Sequence, residues 1–444
     1  MPDQPSPPSS DRRARVAAWV HRWRPLLPIF VAELIALIGF GALLPVLPLF
    51  IQDQGIDTAH LGLIIAAWPL AKLIFEPIFG WWADRHARKP QMVIGIVALS
   101  VVSLLPLFFS SFLALFALRF IAGMCTAAYD PAARGMITEA TDEDERGEAF
   151  GFYASFQVAG FVMGPALGGV GAAVFGGYAF PFVATAVLTF LAAMVLAFRL
   201  RPDTHVVEAG DLAHHPGARP GPAGEAFSGS ELAVVPEDKA PDQAQAPLRA
   251  VFNRTVVTAL VLSFGLHLTF GTYEVVWALY LVALGATVGW VGVSFVLFAI
   301  PELFMGPIAG RWVDRNGPLR PIIITGITIT ITGTVYALSR SYLLSSFVAP
   351  IEAAATASMM PALYMLLGRG TPPGRASTTQ GLFGATGTLA MITASVVAGA
   401  LFEIHIGLPF VFFVVGIVTT MTVGLLLYRT LPSAQPESAA ERSG

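Results

Sequence analysis

Charge is what this sequence has least of. Asp, Glu, Lys and Arg make up 12% of its 444 residues, roughly half the share in soluble domains. Lysine occurs only at Lys72, Lys89 and Lys239. A net charge of −3 excludes a nucleic-acid partner held by a basic surface. The single cysteine, Cys125, excludes an intrachain disulfide and a cysteine metal cluster. Nucleophile elbow, phosphate loop and paired-histidine metal motif are all missing, so neither enzyme chemistry, metal nor cofactor is expected. His214 and His215 adjoin each other in a polar stretch and read as a solvated loop pair, a metal site being the other reading.

Apolar length is what the chain has in excess. It is 55% hydrophobic, with a mean hydropathy of +0.68. Continuous apolar runs long enough to cross a bilayer as helices recur throughout. Their continuity excludes the alternating pattern of a membrane barrel. The fold class is an all-α membrane protein of twelve transmembrane helices in two pseudo-symmetric six-helix bundles. The runs lie near 27–51, 62–83, 91–109, 112–138, 148–174 and 178–199, then near 255–283, 289–312, 321–340, 343–368, 376–403 and 407–429. An arm (1–26) leads into one bundle (27–200). A Pro-, Ala-, Gly- and acid-rich linker (201–254) joins it to the second (255–430), and a tail (431–444) follows. Basic residues fall in the arm, at Arg85, Arg88, Lys89, Arg146, Arg311, Arg315, Arg320, Arg369, Arg375 and Arg429, on what would be one side. Arg340 alone falls on the other. By the positive-inside rule both termini and the linker are cytoplasmic. High Ala and Arg-over-Lys usage suggests a GC-rich bacterial genome, and the expected location is the bacterial cytoplasmic (inner) membrane.

The two halves repeat. Pro77 and Pro307, Gly80 and Gly310, Asp84 and Asp314, Pro131 and Pro361, and Gly151 and Gly381 each differ by 230. Such repeats are typical of transporters that rock two bundles about a midplane site.

The phrase GWWADRHARKP (Gly80–Pro90) returns as GRWVDRNGPLR (Gly310–Arg320). Gly80, Asp84, Arg85, Arg88 and Lys89 resemble the loop signature of the major facilitator superfamily, with Ala87 where that family usually has glycine. The second copy keeps Gly310, Asp314, Arg315 and Gly317 but has Pro318 in place of the later arginine. The resemblance covers residues 27–430. It implies a cytoplasmic gate: Gly80 lets helices approach, Asp84 meets the positive N-terminus of helix 11 near Ala376, and Arg88 pairs with an acid at the inner end of helix 4. Glu139, seven residues before Arg146, matches the family's charge relay. These pairs would lock the outward-open state and part when the inside opens. Positive-inside anchoring alone is the plainer reading.

GFVMGPALGG places Gly160, Gly164 and Gly168 on one face of helix 5, beside Pro165 and Gly169. It resembles the signature of twelve-helix drug:proton antiporters. The equivalent Ala390–Gly399 stretch lacks the pattern, which favours function over packing alone. Arg119 with Gly123 matches a further element linked to proton movement, and Pro45-x-x-Pro48 also fits.

Ionisable residues inside membranes are costly and mark function. Here they are Glu33, Lys72, Glu76, Arg119, Asp130, Glu274, Glu302 and Glu352. Proton coupling is expected among Glu33, Arg119, Asp130, Glu274 and Glu352. Phe270, Glu274 and Trp277 share a helix face, with Tyr273 adjacent. An acid between aromatic rings suits a lipophilic cation, although an interfacial aromatic belt would look the same. Gln157 offers the cavity a hydrogen bond, or packs. Lys72 and Glu76, at i and i+4, neutralise each other, and Glu302 repeats Lys72's place with opposite charge. Asp130 lines the cavity or belongs to the gate.

The sequence thus points to a monomeric, multi-pass antiporter driven by the proton gradient, exporting small lipophilic, cationic compounds by alternating access. The alternative is a proton-coupled transporter of a specific metabolite. A membrane enzyme or non-transporting receptor is the remaining class.

Overall fold

Proline placement decides where the long apolar runs bend. The computed structural model describes residues 23–83, 85–141, 143–201, 247–372 and 375–429. The first apolar run is not one helix but two, α1 (Leu27–Leu43) and α2 (Leu47–Asp53). Pro45 and Pro48 remove two backbone donors, and the ring of Pro48 crowds the carbonyl four residues back, at Leu44. The same arithmetic divides the run near 343–368 into α11 (Tyr342–Thr356) and α12 (Met359–Gly370). Pro361 crowds the carbonyl of Ala357, inside the break.

The other helices are α3 (Thr58–Ala83), α4 (Arg88–Leu104), α5 (Phe112–Glu139), α6 (Glu143–Phe175), α7 (Ala179–Arg199), α8 (Arg254–Ala283), α9 (Val288–Asn316), α10 (Leu319–Leu338), α13 (Ala376–Ile404) and α14 (Leu408–Arg429). Several outrun their apolar cores: α3 starts four residues earlier than hydropathy predicts, α6 five earlier, and α9 ends four later. Hydropathy sees only the lipid-facing length, whereas helices continue until a cap stops them. Asn253, Thr287, Ser111 and Ser341 each accept a bond from an N-terminal backbone N–H. A short 3-10 turn, Leu248–Phe252, falls within the stretch read as linker. Eleven spans among the described residues are long and apolar enough to cross a membrane, and Val288–Pro301 is a shorter apolar stretch. Asp84, His214, His215, the arm to residue 22 and the tail from residue 430 lie outside the described residues, as do the side chains of Arg146 and Glu302.

The repeat reaches helix starts as well as motifs. Adding 230 to Thr58 and Phe112 gives Val288 and Tyr342, the first residues of α9 and α11. Within the first half α1 packs on α6 and α7, and α4 on α5 and α7. In the second half α8 packs on α13 and α14, and α9 on α11. Two large pairings cross between halves, α3 with α13 and α6 with α9, and α8 makes smaller contacts with α2 and α3.

Small residues set both crossings. A Cβ on Gly62 would strike the Ser395 carbonyl, and one on Gly399 the Thr58 carbonyl. Gly169 and Gly292 face each other so closely that a Cβ on either would fall 2.6–2.9 Å from the other's Cα. All four lie at the end away from the basic loops. At the other end a methyl added to Gly151, Gly310 or Gly381 would have nothing within 4 Å, and one on Gly80 would meet only Pro131, at an ordinary 3.7 Å. The expected close approach at Gly80 is therefore absent here, because the halves are joined at the opposite end and apart at this one.

Gly160, Gly164 and Gly168 form the smooth face expected of their spacing, and its partner is α1. Methyls there would meet Leu37, Gly41 and the Ala42 backbone. Gly169 points the other way, to α9. Gly168→Val should lower stability by about 1–3 kcal/mol through overpacking, read as a lower melting temperature in detergent. Gly151→Val, with open space around it, should leave that temperature unchanged.

Candidate functional site

Where the halves diverge they enclose a cavity of about 550 Å³. Its wall is rich in aromatic rings: Phe40 from α1, Trp68 from α3, Phe161 from α6, Phe270, Tyr273 and Trp277 from α8, Phe295 and Phe298 from α9, and Tyr336 from α10. Three titratable groups interrupt it, Lys72, His267 and Glu274.

Glu274 is not a free anion among rings, as its sequence neighbourhood suggested. Arg119 reaches across from α5 and donates from Nη2 to Glu274 Oε1 at 2.9 Å. The two side chains are only 10% and 11% exposed. Neither charge is tolerable alone at this depth, and each is the other's compensation. The guanidinium also lies 5.6 Å from the Phe40 ring and 5.8 Å from the Trp68 ring. One ion pair thus joins the two halves at the cavity wall.

The aromatic neighbours of Glu274 are placed as their spacing predicts, but their polar atoms are engaged. Trp277 Nε1 donates to Ser294 Oγ at 3.0 Å. Tyr273 donates its hydroxyl to Glu352 Oε1 at 2.7 Å. Both therefore offer ring faces to a cargo. Tyr273 meets Trp277, Tyr336 and Phe413 edge-on, at centroid separations of 5.5, 6.2 and 5.4 Å.

Glu352 is buried one layer behind Tyr273, at 1% exposure. Thr332 donates to its other oxygen at 2.8 Å. Its described partners carry hydroxyls, which can serve either protonation state by rotating. Glu33 is likewise buried away from the cavity, inside the first half. Gln157, expected on the cavity wall, instead donates its amide to Glu33 Oε1 at 2.7 Å. Val158, Phe161 and Val162 represent α6 in the wall, because the buried carboxylate holds the amide of Gln157 on the opposite side.

Asp130 is not on the cavity wall. Lys72 bonds to its Oδ2, and Glu76 accepts from the same ammonium at 3.1 Å. Arg134 approaches Glu76 at 3.6 Å. The i, i+4 pairing of Lys72 with Glu76 is thus one edge of a balanced four-charge network tying α3 to α5. Lys72 also sits 4.8 Å from the Trp68 ring centroid.

At the basic-loop end Arg88 pairs with Glu139 at 2.5 Å. Gly135 makes room for it: a methyl there would lie 2.9 Å from Arg88 Nε. Both partners belong to the same half, so the pair persists with the halves apart at that end and cannot be what parts on opening. Arg85 stacks on Trp81 at 4.2 Å and donates to that residue's carbonyl. Asp314 and Arg315 are exposed. At the opposite end Glu403, last turn of α13, accepts from the backbone N–H of Thr58, first residue of α3. Asp57 accepts from the backbone N–H of His60 at 2.8 Å. That bond, together with the imidazole beside it, holds the carboxyl of Asp57 below the usual carboxylate range despite some desolvation.

Sequence reasoning passed over His267 and Glu403. His267 stands on the Phe270–Glu274–Trp277 face, two turns before Glu274, and that spacing was legible. Glu403 carried no local signal, because its partner is 345 residues away.

Known proteins share this architecture. The Major Facilitator Superfamily family description matches residues 29–281 and 259–444. The Quinolone resistance protein NorA of Staphylococcus aureus is 31% identical over 160 residues, 36% of this chain and 41% of that protein. The match thus spans less than half of that relative. Multidrug resistance protein 2 of Bacillus subtilis is 24% identical over 395 residues, 88% of this chain and 92% of that protein. A bacterial homolog to the human lysosomal transporter Spinster, in its inward-facing and occupied conformation, aligns with a TM-score of 0.68 and 16% identity over 95% of this chain and 98% of that one. The nucleoside transporter NupG aligns at 0.70 and 12% identity, over 91% and 99%. Both structural likenesses speak for the fold alone.

The cross-half pair makes a definite prediction. Arg119→Gln strands a buried carboxylate and should cost about 3–5 kcal/mol. The double variant Arg119→Gln/Glu274→Gln should recover a large part of that loss. A double-mutant cycle on melting temperature reads the coupling; additive effects would mean the pair contributes no coupling.

Proposed function

The chain belongs to the Major Facilitator Superfamily, a family of multi-pass membrane transporters, and we propose that it is a proton-driven exporter of small lipophilic cations. In this reading its helices make twelve membrane passes in two six-helix bundles, with both termini cytoplasmic and a bacterial inner membrane as its setting. A single chain encloses the whole cavity, so it works as a monomer, and the proton gradient replaces any cofactor.

The observation that carries the reading is the Arg119–Glu274 pair on an aromatic wall. Three cations can satisfy the Glu274 carboxylate: Arg119, a proton, or a cationic cargo. Only one does so fully at a time, and that competition is what antiport requires. A lipophilic cation entering among Phe270, Tyr273 and Trp277 gains ring-face attraction and displaces Arg119. A proton arriving from outside neutralises the carboxylate and removes the cargo's counter-charge. The names of the Staphylococcus and Bacillus relatives speak of drug resistance, which export of the drug would produce, and so support the same direction.

The two large crossings support alternating access. With the basic loops inside, the joined end is the outer one, and the structure stands in the inward-facing part of the cycle. Glu403 at the N-terminus of α3 then acts as an outer latch. A carboxylate there complements the helix dipole and takes up an otherwise unpaired N–H. The gate expected at Asp84, at the other end of α3, would engage the N-terminus of α13 when the inside closes.

Two measurements test this. In liposomes with an acid interior and an internal pH dye, adding lipophilic cations should release protons, and Glu274→Gln should abolish the signal. Silence to cations together with a response to one metabolite would assign the protein to metabolite transport instead. Separately, Glu403→Ala should move the population toward the outward-open form about tenfold, given up to about 2 kcal/mol for a partly buried carboxylate at a helix end. Spin labels on the outer ends of α3 and α13 read this as a gain in the longer distance. Unchanged distances would remove Glu403 from the latch.

A further inference from the structure

We propose that His267 is a substrate-recognition residue that selects cationic cargo whose second nitrogen bears an N–H over cargo in which that second nitrogen is fully alkylated. The inference rests on the exporter reading of the cavity and names the cargo class within it.

The argument starts from the ring. His267 Nδ1 lies 2.8 Å from the backbone carbonyl of Ser263. A carbonyl only accepts, so Nδ1 carries the hydrogen. In the neutral imidazole Nε2 is then an acceptor with its lone pair in the ring plane. The ring is steadied further by an edge-on contact with Phe270, at 6.1 Å between centroids. Tautomer and direction are thus both set by the chain.

Gly387 on α13 packs over the ring: a methyl there would lie 2.9–3.0 Å from Nε2, Cδ2 and Cε1 alike. Such near-equal distances put glycine on the ring face and not in line with the in-plane lone pair of Nε2. His267 itself lines the cavity, as does Thr388, next to Gly387. Thr388 donates its hydroxyl to the Gly384 carbonyl, so it does not donate to the imidazole. The two charged cavity groups are engaged with others, Glu274 with Arg119 and Lys72 with Asp130 and Glu76.

His267 stands two helical turns, about 10 Å, from Glu274 on the same face of α8. Between them Phe270 supplies a ring. The wall therefore reads a cargo at three points: charge at Glu274, an apolar body at Phe270, and a hydrogen-bond donor at His267. A cargo with a second amine, placed two turns from the charged nitrogen and bearing an N–H, satisfies the third point. A cargo quaternised at that second nitrogen leaves the imidazole acceptor facing alkyl carbon, and loses only what that one bond supplies.

The test compares a lipophilic cation carrying a second, tertiary amine, protonated at neutral pH, with its derivative N-methylated to a quaternary centre at that amine, using equilibrium binding to the purified full chain by quenching of tryptophan fluorescence, and proton release from liposomes. His267→Phe should weaken amine binding about tenfold or more, the scale of a hydrogen bond to a charged group, and leave the quaternary partner within about twofold. His267→Gln, which can present an oxygen near the Nε2 position, should restore part of the amine affinity. Retained quaternary binding certifies the fold of the variants. Equal losses for both compounds, or none for either, would overturn the role of His267. Binding of both compounds with no proton release from wild type would instead overturn the exporter reading while leaving the recognition result readable.

Discussion

A charge placed at bilayer depth must find its partner inside the protein, and that constraint organises the polar architecture of this chain. Water is not there to solvate it, and lipid offers nothing. Arg119 finds Glu274, Lys72 finds Asp130 and Glu76, Glu33 takes the amide of Gln157, and Glu352 takes the hydroxyls of Tyr273 and Thr332. Of these arrangements, the Lys72 network, the Glu33 site and the Glu352 site are each closed within one half. Arg119 with Glu274 crosses between halves and touches the cavity. Lys72 and Tyr273 reach the cavity too, but the Arg119–Glu274 pair alone of the four combines contact with the cavity and a bond between the halves.

The crossing pair also sits where the repeat is broken. One offset of 230 carries Leu44 onto Glu274 and Arg119 onto Ala349. All but Arg119 line the main cavity. The first half has a helix break and an apolar side chain where the second half has a continuous helix and an acid. A symmetric scaffold supplies the rocking geometry, and the departures from symmetry supply the chemistry. His267 follows the same rule, since its equivalent is Leu37.

Closure at one end is a matter of small residues. Gly62 with Ser395 and Gly399, and Gly169 with Gly292, allow backbones to meet without side chains between them. Such contacts are made or broken as a whole, because a backbone surface has no flexible atoms to follow a retreating partner. Glu403 adds a single directional bond to the α3–α13 contact. In the loop signature at the far end of α3 the pair Arg88–Glu139 holds α4 to α5 rather than one half to the other.

The sequence by itself determined the helical class, the run positions, the two-fold repeat and the family, because each of these is a local or periodic property: apolar length, glycine spacing, a charged loop at a fixed distance from its copy. It also marked most of the residues that matter, since an intramembrane charge is conspicuous wherever it falls. The tertiary structure alone decided which of them meet. Glu274 read alone is a bare acid among aromatics, and only the approach of α5 to the other half's α8 supplies Arg119. Gln157 faces Glu33 rather than cargo, and Asp130 is neutralised by Lys72, for the same reason: a buried charge pairs with whatever the fold brings within reach, and reach across the bundle is not written in spacing along the chain.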